Sequence, residues 1–491
     1  MQSVETKSTV TSEDIRSHNH AGDCWIAIDR KVWDVTDFLS IHPGGSEVIL
    51  RYAGSDATSA YNEIHGPGML EETLTSDKYI GDLPIPNNEP SKASAFKTTF
   101  TRSVPVLHEK PPLHTLISAP DFQYVAQQTF TPKAWAFYSS AATDLVTHTQ
   151  NKAFIRRIMF RPRILRDVKD VSMRRKILGC SSSVPFFISP AAMARLAHPD
   201  GECALARASA SEEIVQCISS NASYTLSAIV NSGRKAQDFF LQLYVNSDRH
   251  KTEELLRRAA DLGIRGIFVT VDAPVPGKRE ADERIAAEAV TSAISGAVAS
   301  NDKKGGGMGR LMAQYVDKRL VWSDIKWISE VSGLPVVLKG VQSAADVMMA
   351  CTYGAKGAML SNHGGRSLDG AQPAILVLLE LHRVCPEVFG KMEIYIDGGF
   401  ERGSDILKAI ALGATAVGIG RPYLYSLAYG EEGVEHLTQI LKDELETSMR
   451  LCGLTSIDQA HPGLVNTQDI DHLVARSTDH PWISWKAKSR L

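Results

Sequence analysis

The chain has 491 residues and a net charge of −3, and 43% of its residues are hydrophobic and 22% charged. This composition is typical of globular domains with a large core, and it excludes a disordered or fibrous protein. Because the charge is nearly balanced and no apolar run reaches the ~18 residues of a membrane helix, we expect neither a nucleic-acid partner nor a membrane partner. The first residues show no signal-peptide pattern, and the seven cysteines form no Cys-x-x-Cys motif.

Residues 1–83 are predicted to form a small α+β domain. It contains His42 in a His-Pro-Gly-Gly motif and His65 in a His-Gly-Pro-Gly motif. A low-spin haem needs two neutral imidazoles on opposite faces of its iron, and the apolar side chains near both histidines could line a porphyrin slot. The spacing alone is equally consistent with capping or surface histidines.

Residues 84–112 are rich in proline and have no sustained apolar period, which predicts a linker. From residue 113 to residue 475, short apolar runs alternate with amphipathic stretches of helical length, and this pattern predicts repeated βα units that close into a (β/α)8 TIM barrel. The eight apolar runs are 184–189, 214–219, 239–244, 266–271, 336–339, 357–361, 394–397 and 416–420. A doubly wound open sheet is the alternative, but no Gly-x-Gly-x-x-Gly follows an early strand.

Two segments fall outside this alternation. Residues 280–310 are rich in Ala, Ser and Glu and are predicted to be a surface excursion. Residues 476–491 form a C-terminal tail that ends in Ser489-Arg490-Leu491, one conservative change from the Ser-Lys-Leu peroxisomal signal. The tail predicts a peroxisomal location, with the cytoplasm and the mitochondrial intermembrane space as alternatives.

Polar side chains close most of the predicted barrel strands, and function in such barrels collects at the C-terminal ends of the strands. Any one of these side chains could be structural, as a helix cap or a lysine that reaches solvent, but their convergence predicts a catalytic site. They are Gln242, Tyr244, Thr270, Asp272, Lys339, His363, Arg366, Asp397 and Arg421.

The residue types in this set point to acid–base chemistry on a small anionic alcohol. Arg366 and Arg279 can grip a carboxylate, because the guanidinium is planar and two-pronged. His363 can take a proton near neutral pH, and Asp272 can orient its ring and favour the charged form. Tyr244 can hydrogen-bond the substrate hydroxyl.

Other residues of the predicted barrel suit a cofactor. Lys339 supplies a fixed positive charge beside an electron-rich reduced ring. The glycines near Asp397 and the Gly420-Arg421-Pro422 motif follow the seventh and eighth strands, where TIM barrels usually bind phosphate. The phosphate of FMN would fit there.

The motifs of the N-terminal domain resemble the cytochrome b5 family over about residues 9–83. These motifs run from Asp23 to Ile28, from Val32 to Leu39 and from His42 to Gly45. The resemblance implies that His42 and His65 are the axial iron ligands. Because no Cys-x-x-Cys-His occurs, we expect haem b, held without thioether bonds.

The barrel motifs resemble the family of FMN-dependent 2-hydroxy-acid oxidases and dehydrogenases over about residues 113–455. They are Gln242 to Val245, Val269 to Pro274, Leu338 to Val341, Ser361 to Arg366, Asp397 to Gly399 and Gly420 to Pro422. The resemblance implies His363 as the proton acceptor and Asp272 as its partner. It places Tyr244 at the substrate hydroxyl, and Arg366 and Arg279 at the substrate carboxylate. The implied FMN contacts are Ser189, Pro190, Ala191, Ala192, Ser219, Gln242, Thr270, Lys339, Asp397, Gly398, Gly399, Gly420 and Arg421.

The two modules in this order resemble the flavocytochrome b2 family. The resemblance implies oxidation of a lactate-like L-2-hydroxy acid to the 2-oxo acid, with electrons passing from FMN to haem and then to a one-electron acceptor such as cytochrome c. It also implies a homotetramer. The alternatives are an oxidase that reduces O2 to H2O2, and a haem-based docking module on an inactive barrel.

Three positions depart from the family pattern. Phe137 stands where a tyrosine usually meets the substrate carboxylate, and it makes the pocket less polar, as in members that take longer or aromatic 2-hydroxy acids. Asn221 stands where flavocytochrome b2 has an apolar side chain. Glu401 stands where an arginine usually contacts the FMN phosphate. Either Arg402 compensates for that arginine, or Arg421 carries the phosphate alone.

Overall fold

The computed structural model describes residues 10–42, 45–62, 70, 73–84, 110–285, 290–291, 293–294, 298–299 and 307–477. Two compact units make up the chain, one within residues 1–106 and 289–291 and the other within residues 107–288 and 292–491. The predicted iron ligand His65, the C-terminal tripeptide and most of the predicted linker lie outside the described residues.

The first unit is a small sheet with short helices. Its strands are β1 (Asn19–His20), β2 (Asp23–Ile28), β3 (Lys31–Asp34), β4 (Ser55–Asp56) and β5 (Tyr79–Asp82). Its described helices are α1 (Ser12–Ser17), α2 (Ser46–Leu50) and α3 (Thr58–Asn62), with a 3-10 helix at Ser76–Lys78. The strands β1, β2, β3 and β5 pair in that order and are antiparallel, whereas β4 pairs with β2 in parallel. Apolar side chains cover both faces of β2, since Cys24 and Ile26 pack in one cluster and Ala27 in another.

The second unit is a closed barrel of eight parallel strands. The strands of this unit are β6 (Met159–Phe160), β7 (Arg175–Ile177), β8 (Cys180–Ser182), β9 (Phe186–Ile188), β10 (Gln216–Ser219), β11 (Phe239–Leu243), β12 (Gly266–Thr270), β14 (Val298–Ala299), β15 (Val336–Val341), β16 (Gly357–Leu360), β17 (Glu393–Asp397), β18 (Ala416–Ile419) and β19 (Val465–Asn466), whereas β13 (Val290–Thr291) falls among the residues of the first unit. The barrel closes in the order β9, β10, β11, β12, β15, β16, β17, β18, while β6 pairs with β19 and β7 with β8. Each of the eight predicted apolar runs overlaps one barrel strand, so the predicted TIM barrel is confirmed and the open-sheet alternative is wrong.

Helices surround this barrel and precede it. They are α4 (Ala119–Thr129), α5 (Pro132–Ser139), α6 (Val146–Arg157), α7 (Gly201–Ser211), α8 (Leu226–Ser232), α9 (Arg249–Asp261), α10 (Glu280–Glu283), α11 (Met308–Met312), α12 (Asp324–Ser332), α13 (Ala344–Thr352), α14 (Ala374–Val384), α15 (Gly403–Ala411), α16 (Arg421–Ser426), α17 (Gly430–Leu451) and α18 (Gln468–Asp471). The 3-10 helices are Leu113–Thr115, Ala194–Leu196, His363–Gly365, Pro386–Gly390, Leu427–Tyr429, Ile457–Gln459 and Pro462–Leu464. In α9, residues at helical spacing such as Thr252, Leu256 and Ala259 are buried, which explains why this amphipathic stretch packs against its neighbours. Among the helices of the described residues, none combines the length and the apolar character needed to cross a membrane.

Large side chains fill the interior of the barrel. Phe187, Phe240, Phe268 and Tyr395 belong to one buried cluster, and the rings of Phe240 and Phe268 lie 5.2 Å apart. A packed interior makes the barrel a solid core rather than a pore. The functional site therefore lies at one end of the strands.

The segment 280–310 differs from the prediction of a surface excursion at the parts that the structure describes. Asp282 in α10 and Met308 and Met312 in α11 are buried. The Asp282 carboxylate accepts hydrogen bonds from the backbone N–H groups of Met308 and Gly309, at 3.3 and 3.0 Å. These bonds tie the two ends of the segment together, so its ends contribute buried residues as well as exposed ones.

Candidate active site

The predicted barrel residues surround one cavity at the carboxyl ends of the strands. All of the predicted catalytic and FMN-binding residues line it except Asp272, which lies behind His363. The carboxyl ends of parallel strands meet at one face of a barrel, which is why residues far apart in the sequence converge here. The lining residues among them are Ser189, Pro190, Ala191, Ala192, Ser219, Gln242, Tyr244, Thr270, Arg279, Lys339, His363, Arg366, Asp397, Gly398, Gly399, Gly420 and Arg421.

His363 lies between an acid and a phenol. Its Nδ1 is 2.9 Å from Asp272 Oδ1, and its Nε2 is 3.2 Å from Tyr244 Oη. Because a carboxylate only accepts hydrogen bonds, Nδ1 carries the proton and Nε2 is the basic nitrogen. The backbone of His363 has a positive φ of 58°, and its N–H donates to Ser361 Oγ at 3.1 Å, so the turn holds the ring in place. His363 is therefore oriented as a general base.

The Asp272 carboxylate is completely buried, and its Oδ2 atom has no hydrogen-bond partner among the described residues. Burial alone would raise the pKa of Asp272, but His363 and Lys339 outweigh it and hold that pKa below its ordinary value. The group is thus a permanent anion that stabilises a protonated His363. The position of the Asp272 carboxylate depends on Gly340, a residue whose role the sequence did not reveal. A Cβ at Gly340 would lie 2.5 Å from Asp272 Cγ, and φ of Gly340 is 107°.

Two arginines flank the Phe137 ring on the substrate side of the cavity. The ring centroid is 5.3 Å from Arg366 Cζ and 5.7 Å from Arg279 Cζ, close enough for cation–π attraction. Arg366 Nη1 donates to the carbonyls of Phe137, Tyr138 and Ser140 at 2.8, 3.0 and 3.0 Å. These contacts hold Arg366 in place.

The arginines of the cavity favour an anion between them. Burial lowers the pKa of Arg366, and the neighbouring Arg279 and Arg421 lower it further. Burial also lowers the pKa of Arg279, whose Nη2 is 3.8 Å from Asp282 Oδ2. A bound carboxylate would compensate both the burial and the repulsion of these guanidinium groups.

Gly309 controls the position of Arg279, and it was missed in the sequence. A Cβ at Gly309 would overlap the Arg279 guanidinium. Gly309 belongs to the segment predicted as a surface excursion. Its role becomes visible only because the structure places it in the lining of the cavity. The Gly305-Gly306-Gly307 run just before Gly309 was the one signal in the sequence, because glycines are typical of positions where the backbone comes close to another group.

A row of polar side chains follows neighbouring strands on the opposite wall. Ser219 Oγ donates to Gln242 Oε1 at 3.0 Å, and Gln242 Nε2 donates to Thr270 Oγ1 at 2.9 Å. Within the part of the chain that the structure describes, Ser189 Oγ and Asp397 Oδ1 are buried atoms without a hydrogen-bond partner. Buried oxygens of this kind need polar groups of a ligand, and the hydroxyls and ring nitrogens of FMN would provide them.

Lys339 is a buried cation in the same wall. Its Nζ is 3.4 Å from Asp397 Oδ2 and donates to Ser361 Oγ at 3.1 Å. Burial alone would lower the pKa of Lys339, but Asp397 and Asp272 outweigh it and raise that pKa above its ordinary value. The side chain therefore keeps its charge, as a residue that stabilises negative charge on a reduced flavin requires.

The end of the cavity after β17 and β18 is built from glycines and Arg421. Gly398 and Gly399 have φ values of 91° and 89°, which favour glycine. Arg421 donates through Nε to the Tyr138 carbonyl at 3.0 Å, and through Nη1 to the Gly364 carbonyl at 3.1 Å and to His148 Nδ1 at 3.2 Å. This is the usual phosphate end of a TIM barrel.

The residues beside the phosphate end exclude one of the two alternatives for the arginine that is missing at position 401. Arg402 does not line the cavity, because its Nη1 donates to Glu444 Oε1 at 2.7 Å on another side. The expectation that Arg402 replaces the missing arginine is therefore wrong. Glu401 does line the cavity and pairs with Lys152, a residue of α6 that was missed in the sequence. Nothing in the pattern of α6 singles out Lys152.

In the first unit, the structure describes one of the two predicted iron ligands. His42 Nδ1 donates to the Gly45 carbonyl at 3.1 Å, and its ring packs edge-on against Phe38 at 5.6 Å. In this neutral tautomer Nε2 carries the lone pair, which is what an iron ligand requires. Apolar side chains nearby, including Phe38, Ile49 and Leu50, pack in one cluster, so the described residues fit a haem.

Comparisons with known proteins agree with this architecture. Residues 126–467 match the family described as FMN-dependent dehydrogenase, and residues 11–84 match the cytochrome b5-like heme/steroid binding domain. An L-lactate dehydrogenase (cytochrome) from Wickerhamomyces anomalus is 40% identical over 464 residues, which cover 94% of this chain and 80% of that protein. Glycolate oxidase 2 from Oryza sativa subsp. indica is 38% identical over 357 residues, which cover 71% of this chain and 95% of that protein. A mutant flavocytochrome b2 solved with pyruvate bound is 40% identical with a TM-score of 0.67, over 74% of this chain and 90% of that chain.

A TIM barrel with a His–Asp pair, an anion-binding arginine pair and a buried lysine at one face defines an FMN enzyme that acts on hydroxy acids. The chain belongs to the FMN-dependent dehydrogenase family and carries a cytochrome b5-like domain at its N-terminal side. FMN is the cofactor of the barrel, and the first unit is a haem domain.

Proposed function

We propose that this enzyme oxidises L-lactate to pyruvate and delivers the electrons through haem b to a one-electron acceptor such as cytochrome c. The observation that carries the proposal is His363 held between Asp272 and Tyr244 in a cavity that also contains Arg279 and Arg366. The relative that matches both modules over 94% of this chain is an L-lactate dehydrogenase (cytochrome), which supports the choice of substrate and of acceptor.

The residues divide the work by charge and by hydrogen bonding. Arg279 and Arg366 bind the substrate carboxylate and fix its orientation. Tyr244 Oη and His363 Nε2 lie 3.2 Å apart, so the substrate hydroxyl can meet both. His363 Nε2 then takes a proton from the substrate, and the buried Asp272 anion stabilises the resulting imidazolium.

The cofactors supply the redox chemistry. When bound, FMN would supply the two-electron oxidation of the hydroxy acid, and haem b would supply one-electron transfer to the acceptor. Ser189, Gln242, Thr270 and Asp397 would hold the flavin, and Lys339 keeps a positive charge beside it. His42 would hold the haem iron together with the predicted ligand His65.

The test is the variant His363→Gln. Because glutamine cannot act as the base, we expect anaerobic flavin reduction by L-lactate to be lost while both cofactors stay bound. Absorbance spectra before and after lactate addition measure both properties. His114→Gln, which changes an exposed histidine outside the cavity, should reduce normally. Near-normal flavin reduction in His363→Gln would overturn the assignment of the base.

Two residues of the cavity bear on the substrate. Phe137 offers no hydroxyl to a carboxylate, and Asn221 is buried with its Oδ1 accepting from Tyr315 Oη at 2.7 Å. A panel of L-lactate, mandelate and a long-chain 2-hydroxy acid tests the choice of lactate by rates of flavin reduction. Faster reduction by mandelate or by the long-chain acid would replace lactate as the substrate and leave the reaction class unchanged.

An oxidase that reduces O2 to H2O2 is the second candidate. It is favoured by the glycolate oxidase that matches 71% of this chain. Stopped-flow mixing with lactate in air separates the two functions. Haem reduction that outpaces peroxide formation supports the dehydrogenase, and the reverse order supports the oxidase.

We also propose a homotetramer in a peroxisome. The homotetramer follows from the resemblance to the family. The peroxisomal location follows from Ser489-Arg490-Leu491, which resembles a peroxisomal signal when it ends a chain. Light scattering on the purified protein tests the subunit count. Imaging of a fluorescent fusion with and without the tripeptide tests the location, and cytoplasmic or mitochondrial fluorescence would contradict it.

A further inference from the structure

We propose that Lys152 binds the phosphate of FMN together with Arg421, and that Glu401 holds the Lys152 ammonium in position for this role. Lys152 would thereby replace the arginine that the family usually carries at position 401. The proposal rests on FMN as the cofactor of the barrel and adds a binding residue that lies outside the family motifs.

The backbone of α6 places Lys152 at the phosphate end of the cavity. A Cβ on Gly399 would lie 2.9 Å from the Lys152 backbone nitrogen, so only a glycine lets the loop after β17 approach α6 so closely. Lys152 and Gly399 line the cavity together with Gly420 and Arg421, which follow β18. The loops after the seventh and eighth strands are where TIM barrels bind phosphate.

His148, one turn before Lys152 on α6, contacts Arg421 and lines the same cavity as both cations. Burial lowers the pKa of His148 to about 4, and Arg421 and Lys152 are the next causes. His148 is therefore neutral near pH 7 and adds no charge of its own. Its Nδ1 accepts a hydrogen bond from Arg421 Nη1 at 3.2 Å.

The other cations that line the cavity in the described residues have different partners. Arg279 and Arg366 contact the Phe137 ring at the substrate side, and Lys339 pairs with Asp397. Arg421 and Lys152 remain for the phosphate end.

A second cation is needed to keep this end positive, because the charges of Glu401 and Arg421 alone would sum to zero. A phosphate monoester carries about −1.5 to −2 charges near pH 7, and Arg421 offers one positive charge. Glu401 would add a negative charge that repels the phosphate if it were alone. The ion pair between Lys152 and Glu401 cancels that charge. An ammonium has three donors, so Lys152 can serve the carboxylate and the phosphate at once.

Glu401 also compensates for the flexibility of a lysine. A lysine side chain is a point charge on a long stem and loses more freedom on binding than a preorganised arginine. The Glu401 side chain is only 14% exposed and its backbone N–H donates to Asp405 Oδ2 at 3.3 Å. A carboxylate fixed in this way holds the ammonium near the cavity before the cofactor arrives.

Binding of FMN and of riboflavin tests the proposal, because only FMN has a phosphate. The protein is the full chain stripped of FMN, and flavin fluorescence quenching measures the two Kd values. Lys152→Met should raise the Kd for FMN by about 10- to 100-fold, the effect of losing one charge-assisted hydrogen bond, and change the Kd for riboflavin by less than about threefold. An equal loss for both flavins, or an unchanged Kd for FMN, would overturn the role of Lys152.

Three further variants distinguish the loss of a phosphate contact from a folding defect. Arg402→Met removes a neighbouring cation that pairs with Glu444, and it should change the Kd for FMN by less than about twofold. Lys152→Arg keeps the charge and should stay within about threefold of the parent protein. In a Glu401→Arg background, which restores the usual family arrangement, Lys152→Met should cost less than about threefold. A loss in Arg402→Met or Lys152→Arg equal to that in Lys152→Met, or an undiminished loss in the Glu401→Arg background, would refute the proposal.

The proposed function and the role of Lys152 fail in different ways. A parent protein that bound neither flavin would contradict the FMN enzyme itself. A parent protein that prefers FMN to riboflavin, combined with a Lys152→Met variant that keeps the same preference, would contradict only the role of Lys152.

Discussion

The two ends of the active-site cavity hold their positive charges in different ways. At the substrate end, the guanidinium groups of Arg279 and Arg366 flank the Phe137 ring, and Arg366 donates to three backbone carbonyls. At the phosphate end, Arg421 is likewise fixed by carbonyls, but the second cation is held by a carboxylate. One end is fixed by the backbone, and the other depends partly on an ion pair.

This difference shows how a site tolerates departures from its family pattern. The change at position 137 replaces a phenol by a phenyl ring and leaves the charge at the substrate end unchanged. The change at position 401 reverses a charge, so a cation from another element has to offset it. Lys152 offsets one of the two charge units that this change removes, so the phosphate end keeps a net positive charge without an arginine at position 401.

The largest effect is expected from Arg366→Met at the substrate end. Loss of a buried guanidinium that binds the carboxylate should lower kcat/KM for L-lactate by about 10²- to 10³-fold, because the substrate anion keeps only Arg279. The Kd for FMN should change little if the two ends act independently. Steady-state reduction of cytochrome c and flavin titration measure the two quantities.

Arg161→Met, which removes an exposed arginine outside the cavity, is the control for Arg366→Met and should leave both quantities unchanged. A parallel loss of FMN binding in Arg366→Met would show that the two ends are coupled and would break the comparison.

Sequence reasoning predicted much of the cavity because barrel geometry brings strand ends together. His363, Arg366 and Lys339 each follow or close a strand, so their convergence follows from the βα pattern alone. Lys152 lies on α6, which precedes the barrel in the chain, and its position depends on tertiary packing against the loop at Gly399. No spacing along the sequence encodes that contact.

The neighbouring residues Glu401 and Arg402 show a second limit of sequence reasoning. They are adjacent in the chain, yet Glu401 faces the cavity, whereas Arg402, just before α15, pairs with Glu444 of α17. The direction of a loop side chain depends on the backbone turn at Gly398 and Gly399, which the composition of the motif does not determine. The roles of Gly340 and Gly309 were missed for a related reason, since each is defined by the side chain that approaches it.

An intermediate effect is expected from Gly309→Ala, which tests whether close contacts hold Arg279 in place at the substrate end. The new Cβ overlaps the Arg279 guanidinium, so Arg279 has to move and KM for L-lactate should rise by about tenfold. Stability should hardly fall, because Gly309 lies in α11 and alanine favours a helix over glycine. Kinetics and thermal unfolding measure the two effects.

Gly390→Ala is the matched control for Gly309→Ala, because no atom of the described residues lies within 4 Å of a Cβ at position 390. It should leave KM unchanged. A large fall in Tm for Gly309→Ala with unchanged KM would mean that the glycine serves the fold and not Arg279.

The smallest effect is expected at the phosphate end, from the pH dependence of stability. The pKa of His148 lies at about 4 in the folded protein, because burial, Arg421 and Lys152 disfavour the charged ring. The unfolded chain has the ordinary value of about 6.5, so it binds more protons than the folded chain between these values. Stability is therefore lost as the pH falls from about 6.5 towards 4. At pH 5 this loss is about 1 kcal/mol for a partly exposed ring.

His148→Gln removes this titration while keeping a polar side chain, so the FMN-free variant should lose less Tm between pH 7 and pH 5 than the parent protein. The exposed His114 gives the control His114→Gln, which should follow the parent. The comparison uses the change in Tm between pH 7 and pH 5 within each protein. A loss of stability that is the same at both pH values therefore cancels. Parallel curves for His148→Gln and the parent would show that folding does not lower the pKa of His148, which would contradict the effect of burial and of the two cations at this end.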